Sequence, residues 1–194
     1  MMSDLFVGLC GKKGSGKSYV AENMRDLRGA KITRFADTLK DMMRVMGFNE
    51  GQINGDLKEV ACDMLNGKTP RYAMQTLGTE WGRNLLHENI WVDMLVAKAN
   101  KESGIVVVDD VRFPNEIKAI RDNGGVVAWV ERTSIYEGED EHASETSVSS
   151  ADCDVWIDNT LPISEVITNI EGWARLQKDI RNKNEKQDTN RFRK

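Results

Sequence analysis

Long hydrophobic runs are absent from this chain of 194 residues. No apolar stretch approaches the roughly 18 residues that a membrane-spanning helix needs. The N-terminus also lacks the basic-then-apolar pattern of a signal peptide. We therefore expect a soluble, cytoplasmic protein without a membrane partner, of a size that builds one sizeable core.

Side chains for soft metals and for disulfides are scarce as well. The two histidines, His87 and His142, lie far apart, and the three cysteines, Cys10, Cys62 and Cys153, never form a C-x-x-C pair. This distribution argues against a zinc site and against a disulfide framework. We expect three reduced thiols.

A basic excess is also missing. The 27 Lys and Arg residues are outnumbered by 31 Asp and Glu residues, which gives a net charge of −4. Because nucleic-acid surfaces normally carry a basic excess, we expect no nucleic-acid partner. The polar tail over 179–194 is locally rich in Lys and Arg, and we interpret it as a solvated helix end or a disordered tail rather than a partner-binding segment.

A glycine-rich loop near the N-terminus is the strongest pattern in the sequence. The string GKKGSGKS, from Gly11 to Ser18, matches G-x-x-x-x-G-K-[ST] in full. The apolar run LFVGLC precedes it and the helical pattern YVAENMRDL follows it, which is the strand–loop–helix context that this motif requires. Glycines let successive backbone N–H groups converge on phosphate oxygens, and the start of a helix adds partial positive charge. The sequence therefore predicts a nucleotide-phosphate site.

Side chains at two places extend this site toward a triphosphate and its metal. Lys17 supplies a cation for the outer phosphates, and the Ser18 hydroxyl is placed to bind magnesium. The β-branched run Ile105–Val108 is typical of a strand covered on both faces, and it ends in Asp109 and Asp110. Acids at the end of such a strand, paired with a phosphate loop, predict a Walker B magnesium site. Because successive side chains of a strand point to opposite faces, one of the two acids should dominate.

Strand and helix patterns alternate along the chain. The alternation predicts an α/β protein with a P-loop NTPase fold: a mostly parallel five-stranded sheet, helices on both faces and ligands at the carboxyl ends of the strands. The predicted strands cover 5–10, 31–35, 105–108, 126–130 and 155–157, and the last helix covers 163–176.

Apolar residues at helical spacing predict the buried faces of three further helices. One of them begins at Thr69 as N-cap and Pro70 as first helical residue. The predicted apolar positions are Leu39, Met42, Met43 and Met46 in the first helix, Met74, Leu77, Trp81 and Leu85 in the second, and Trp91, Met94 and Leu95 in the third.

The stretch from 133 to 152 has few apolar residues and cannot contribute much core. It is either a plain surface loop or a lid that orders over substrate, with Arg132 entering it directly from a strand.

Several motifs together resemble the deoxynucleoside monophosphate kinases of bacteriophages. They are the phosphate loop, FADTLK, RYAMQTLGTEWGR, DDVRFPNE and HASE, and the resemblance spans most of the chain, from Phe6 to Asn159. It implies transfer of the γ-phosphate of ATP to the 5′-phosphate of a deoxynucleoside monophosphate, with Mg²⁺ as cofactor and small molecules as partners. It also suggests a homodimer and, for a viral protein, the host cytoplasm.

The resemblance assigns roles to individual residues. It divides the chain into one P-loop kinase domain over 1–178, with an acceptor-binding helical region over 36–90 and a lid over 132–152, and the tail. Lys17, Arg112 and Arg132 would be catalytic. ATP would be bound by Gly11, Lys13, Gly14, Ser15, Gly16, Lys17, Ser18 and Asn159, the last near the adenine. The acceptor would be bound by Lys40, Arg71, Gln75, Glu80, Arg83 and Arg112, and magnesium by Ser18 with Asp110 or its neighbour Asp109.

Two other functions remain as alternatives. A dephospho-coenzyme A kinase would share the loop, the strand-end acid and a polar lid. A nucleotide-binding regulatory switch is less well supported, because the N-K-x-D base-reading motif of a GTPase does not occur in the sequence.

Overall fold

The computed structural model describes residues 5–132 and 147–191. The chain divides into two compact units: the first comprises the residues up to 33 and from 96 onward, and the second is Arg34–Leu95. Most of the stretch interpreted as a loop or lid, residues 133–146, lies outside the described residues, as do the last three residues of the charged tail.

The secondary structure alternates as the sequence predicts. The strands are β1 (Leu5–Cys10), β2 (Lys31–Thr33), β3 (Ile105–Val108), β4 (Val126–Glu131) and β5 (Val155–Asp158). The helices are α1 (Lys17–Arg28), α2 (Asp37–Val45), α3 (Glu50–Ile53), α4 (Pro70–Gln75), the π-helix (Thr76–Leu86), α5 (Ile90–Ala99), α6 (Pro114–Asp122) and α7 (Ile163–Arg191). Short 3₁₀ turns occupy Asp56–Glu59, Asp63–Leu65 and Ser150–Asp152.

The first unit is built on a five-stranded sheet in the order β2-β3-β1-β4-β5, in which every neighbouring pair is parallel. β1 is the central strand. The chain leaves it toward β2 and β3 on one side and returns past it to β4 and β5 on the other. In sheets whose strand order reverses in this way, ligands bind outside the carboxyl ends of the strands, at the point of reversal. The predicted fold class is confirmed.

The core of the first unit explains why its strands are nearly continuous apolar runs. Every residue of β1 is buried, as parallel strands covered on both faces require. Val7 and Leu9 belong to a cluster that includes Met24 of α1 and Ile170 of α7. On the opposite face, a Cβ at Gly8 would meet Ile120 of α6. Helices thus cover both faces of the sheet.

The last helix is longer than the sequence predicts. It continues beyond the expected end at Leu176 and runs through Arg191. Arg181 explains part of this extension, because its guanidinium donates to the carbonyl oxygens of Arg121 and Gly125 at 2.9 and 2.8 Å. These bonds connect the polar part of α7 beyond Leu176 to the last turn of α6 and to the turn that follows it.

The second unit consists of short helices around a small core. Thr69 caps α4 as predicted, its hydroxyl accepting from the Tyr72 backbone N–H at 3.2 Å. The core contains Met43, Phe48 and Ile53, with partly buried side chains of the 62–77 region packed against it. The three further helices that the sequence predicts are therefore present, although their ends and windings differ.

Some predicted apolar faces are wrong in detail. Met46 is exposed because α2 ends one residue before it. Leu85 is 76% exposed, since it lies in the π-helix, whose i→i+5 repeat shifts it off the face predicted from α-helical spacing. Trp81 and Met94 are also exposed.

Across the described ranges, no helix combines the length and the apolar character that a membrane span requires. This finding includes α7, which is polar along much of its length.

Candidate active site

The loop after β1 has the backbone shape of a phosphate cradle. Gly11 adopts φ 139° and Gly16 adopts φ 92°, conformations that favour glycine. A Cβ at Gly11 would collide with the carbonyl oxygen of Val130 on β4, and a Cβ at Gly16 would collide with the side-chain amide of Asn159. Both glycines are therefore required by the conformation and by the close neighbours.

The Ser15 side chain lies inside this cradle. It is buried, and its Oγ is close to the position that a Cβ at Gly11 would occupy. Within the part of the chain that the structure describes, this hydroxyl has no hydrogen-bond partner. A buried hydroxyl without a partner is costly, and a phosphate oxygen would satisfy it.

Lys17 is the first residue of α1, and its ammonium group folds back over the loop. Nζ donates to the carbonyl oxygens of Gly11 and Lys12 at 2.7 and 2.9 Å. Burial lowers the pKa of Lys17 to about 8, and the nearby positive charge of Arg112 contributes in the same direction. The ammonium group is therefore held at the mouth of the loop at some electrostatic cost, which bound phosphate would relieve.

The two acids after β3 lie in the electrostatic environment of Lys17. β3 pairs directly with β1, Val108 being opposite Gly8. The carboxylates of Asp109 and Asp110 both raise the pKa of Lys17, against the larger effect of burial. Asp109 is buried and Asp110 half-buried. Asp110 as the dominant magnesium ligand stays a prediction.

The donors at this point fit magnesium. No group of three or more His, Cys, Asp or Glu side chains in residues 5–132 and 147–191 could hold a metal ion by itself. Mg²⁺ commonly takes one or two protein carboxylates and completes its shell with phosphate oxygens and water. The exposed Ser18 hydroxyl and the strand-end acids form such a minimal set of oxygen donors.

Arg112 is positioned by a residue to which sequence reasoning gave no role. The buried Glu116 accepts hydrogen bonds from the backbone N–H groups of Arg112 and Phe113 at 2.6 and 3.1 Å. These bonds fix the turn from β3 into α6, which begins at Pro114. An acid three residues after the N-cap, with Pro at the first helical position, is a helix-start pattern that could have identified Glu116.

The two remaining candidates of the first unit lie after β4 and β5. Arg132 is exposed directly after β4. Asn159 follows β5, and its Nδ2 donates to the carbonyl oxygen of Ser15 at 2.9 Å. Its contact in the structure is therefore with the backbone of the phosphate loop.

The five acceptor candidates of the second unit are carried by α2, α4 and the π-helix. Arg71 forms an ion pair with Glu59. Arg83 donates to the carbonyl oxygen of Glu88 at 3.4 Å. Lys40 and Gln75 are half-buried, and Glu80 is exposed. The structure brings these residues into one unit, and their acceptor roles stay predictions.

The π-helix of this unit was not predicted. Trp91 of α5 packs where a Cβ at Gly82 would lie, and its Nε1 donates to the carbonyl oxygen of Gly78 at 2.8 Å. A ring that occupies this space and bonds a helix carbonyl favours a wider winding. Glu80 lies five residues after Gln75, so an i→i+5 winding brings these two side chains to the same side of the helix. An α-helical winding would place them on different sides. Such segments often occur at functional sites.

A phosphate loop between the central strand and the first helix of a doubly wound parallel sheet defines a P-loop nucleotide-binding protein. Within that class, residues 68–170 match the family model of the deoxynucleotide monophosphate kinases. The chain belongs to this family, and the resemblance inferred from the sequence motifs is confirmed.

Two curated relatives agree with this family. The chain is 33% identical over 184 residues to a protein of Acanthamoeba polyphaga mimivirus assigned to the deoxynucleotide monophosphate kinases, in an alignment covering 86% of this chain and 94% of that protein. It is 44% identical over 55 residues to the deoxynucleoside-5′-monophosphate kinase of Escherichia phage T5, covering 28% of this chain and 22% of the phage protein.

Solved structures with similar folds include other small-molecule kinases. Shikimate kinase of Aquifex aeolicus matches with a TM-score of 0.49 and 9% identity over 88% of this chain and 96% of that chain. APS kinase of Mycobacterium tuberculosis matches with a TM-score of 0.44 and 15% identity over 90% and 99%.

Proposed function

We propose that this protein transfers the γ-phosphate of ATP to the 5′-phosphate of a deoxynucleoside monophosphate, giving ADP and a deoxynucleoside diphosphate. The observation that carries the proposal is the family match over residues 68–170, which includes both the helical segment RYAMQTLGTEWGR and the motif DDVRFPNE. A phosphate cradle on the same chain supplies the donor side of the reaction.

The first unit would hold the triphosphate. Backbone N–H groups of the loop and of the first turn of α1 would donate to phosphate oxygens, and the Ser15 hydroxyl would gain an acceptor. Lys17 would exchange its carbonyl partners for the outer phosphates. Arg112 and Arg132 would add positive charge at the transferring group, which is the main requirement of phosphoryl transfer.

Magnesium would be held by Ser18 and by Asp110 or Asp109, where it would neutralise phosphate charge. The donor set described above fits this role. The remaining contribution of the protein is to place and neutralise the phosphates, because the acceptor phosphate is already a nucleophile and needs no protein base.

The second unit would bind the acceptor. Its side chains offer two features that suit a nucleoside monophosphate: cations for the phosphate in Lys40, Arg71 and Arg83, and hydrogen-bonding groups in Gln75 and Glu80. Arg71 is paired with Glu59 in the structure, and its guanidinium would exchange this carboxylate for the acceptor phosphate.

The proposal is tested by measuring ADP formation from ATP with each common ribo- and deoxyribonucleoside monophosphate, and with dephospho-coenzyme A. We expect activity with one or more deoxynucleoside monophosphates and little with dephospho-coenzyme A. Lys17→Ala is the negative control for contaminating kinases. Activity confined to dephospho-coenzyme A, or none with any acceptor while ATP still binds, would refute the proposal.

A further inference from the structure

We infer that Asn159 is a positioning residue for the phosphate loop: its side-chain amide orients the Ser15–Gly16 peptide group so that the loop is preformed for polyphosphate. This inference rests on the proposed ATP site and assigns to Asn159 a role different from contact with the base. It follows from three contacts of one side chain and its backbone.

The first contact is the hydrogen bond from Asn159 Nδ2 to the Ser15 carbonyl oxygen, at 2.9 Å. A carbonyl oxygen can only accept, so the amide must present its NH₂ group to the loop. In a trans peptide the C=O and N–H point in opposite directions. Holding the Ser15 carbonyl toward Asn159 therefore directs the Gly16 N–H away from Asn159, where a phosphate oxygen can accept it.

The second contact is steric. The Asn159 side chain occupies the space that a Cβ at Gly16 would need. The loop backbone is thus packed directly against the amide, with no side chain between them. A glycine can adopt many backbone conformations, and Gly16 adopts one with φ 92°. The adjacent Asn159 amide reduces the number of conformations open to Gly16.

The third contact anchors Asn159 itself. Its backbone N–H donates to the Glu131 carbonyl oxygen at 2.8 Å, which extends the pairing of β4 with β5 by one residue. The next turn is also fixed, because the Asp158 carboxylate accepts from the N–H and hydroxyl of Thr160 at 2.9 and 2.6 Å. The amide therefore reaches the loop from a rigid edge of the sheet.

A glycine-rich loop gains from such support. Its glycines allow the required backbone angles but also permit many others, and the free energy of ordering them reduces affinity for phosphate. A side chain fixed to the sheet restricts the loop before the ligand arrives. Removing it should weaken every ligand that uses the loop by the same factor, whatever is attached to the phosphates.

The test compares ATP with inorganic tripolyphosphate, which has no base or ribose. Dissociation constants of both ligands are measured by calorimetry with magnesium for the wild type, Asn159→Ala and Asn159→Asp. We expect Asn159→Ala to weaken both ligands equally, by about tenfold, which corresponds to about 1.4 kcal/mol. Asn159→Asp should weaken both further, because a carboxylate cannot donate to Ser15 and repels phosphate.

Asn23→Ala is the matched control. Asn23 Nδ2 donates to the Tyr19 carbonyl oxygen at 2.8 Å on the exposed face of α1, so this variant loses a bond of the same kind away from the loop. Its affinities for both ligands should equal those of the wild type. Thermal unfolding of each variant, and the KM for the acceptor nucleotide, should change little, which separates positioning of the loop from general loss of structure.

A spectroscopic measurement tests the inference without any ligand. In ¹H–¹⁵N spectra of the free protein, the Gly16 amide resonance should shift in Asn159→Ala, because its peptide group loses the hydrogen bond at Ser15. Weaker ATP binding with unchanged tripolyphosphate binding would assign Asn159 to the base and overturn the inference, as would unchanged affinity for both. If the wild type binds ATP and tripolyphosphate normally but transfers no phosphoryl group to any acceptor, the proposed function alone would be refuted.

Discussion

The two units present their functional groups in different ways. In the first unit, phosphate would meet backbone N–H groups whose directions are fixed by two glycines, by the carbonyl of Val130 and by Asn159. In the second unit, the candidate groups are long side chains on short helices, and their positions depend on ion pairs such as Arg71 with Glu59.

This difference has a consequence for specificity. A cradle of backbone groups is determined by main-chain geometry, so it suits a ligand part that never changes, the polyphosphate of ATP. A surface of side chains can be altered by single substitutions, so it suits selection among bases. Mutations in the first unit should therefore have large, uniform effects, and mutations in the second should have smaller effects that differ between acceptors.

The largest effect is expected for Lys17→Ala. It removes the mobile cation of the loop, and the loss of one preorganised electrostatic group lowers turnover by roughly 10²-fold or more. Steady-state rates of ADP formation measure it, with every acceptor affected alike. Lys118→Ala, at an exposed ion pair on α6, is the control. Turnover near that of the wild type would contradict the role assigned to Lys17.

The strand-end acids should differ from each other. Asp110→Asn is expected to lower the apparent magnesium affinity by roughly 10- to 100-fold, because an amide is a poorer ligand than a carboxylate. The measurement is a magnesium titration of activity at fixed ATP. If only Asp109→Asn shifts the titration, the magnesium ligand is Asp109 and the prediction for Asp110 is wrong.

The lowered pKa of Lys17 predicts a pH dependence. Above pH 8 the free protein loses the Lys17 proton, so KM for ATP should rise about tenfold between pH 7 and pH 9. Lys17→Arg, which keeps its charge, should have a flatter profile.

The same pKa shift affects stability. Between about pH 8 and 10.5, Lys17 binds fewer protons in the folded protein than in the unfolded chain. This group therefore makes the free energy of unfolding increase as pH rises through that window.

In the second unit, Trp91→Phe should loosen the π-helix. The variant keeps a ring against Gly82 but loses the bond to the Gly78 carbonyl, worth about 1 kcal/mol. KM for the acceptor should rise about fivefold, while KM for ATP stays constant. Trp173→Phe, at an exposed position of α7, is the control. Parallel changes in both KM values would place the effect on overall stability instead.

The smallest effect is expected for Glu59→Gln. It releases Arg71 from an ion pair whose carboxylate is 56% exposed, and such pairs are worth about 0.2–1 kcal/mol. If acceptor phosphate competes with Glu59 for Arg71, KM for the acceptor should fall by up to about fivefold. Asp41→Asn, which loses a comparable ion pair with Arg44, is the matched control. A rise in KM would mean that Glu59 aligns Arg71 instead of competing.

Sequence reasoning succeeded where local pattern determines structure. The apolar runs of β1 and β3 and the spacing of the phosphate loop identified the sheet and the cradle, because parallel strands buried on both faces have few alternatives. It failed where a distant residue decides. The π-helix is contacted by Trp91 of α5, and the extension of α7 carries Arg181, which bonds to Arg121 and Gly125. The hydrophobic periodicity of one segment cannot reveal contacts with another. The bond from Asn159 to Ser15 joins residues 144 positions apart.

The strand order also affects how the chain is made. The central strand is the first to leave the ribosome, yet its neighbours are the third and fourth strands, so β1 has no pairing partner until Ile105–Val108 and then Val126–Glu131 have emerged. At about 5–20 residues per second, synthesis of the intervening ~120 residues takes about 6–24 seconds. Throughout that time the six residues of β1, five of them hydrophobic, lack at least one of their two neighbouring strands. The strand that leads into the phosphate loop is therefore made early and completed late in synthesis.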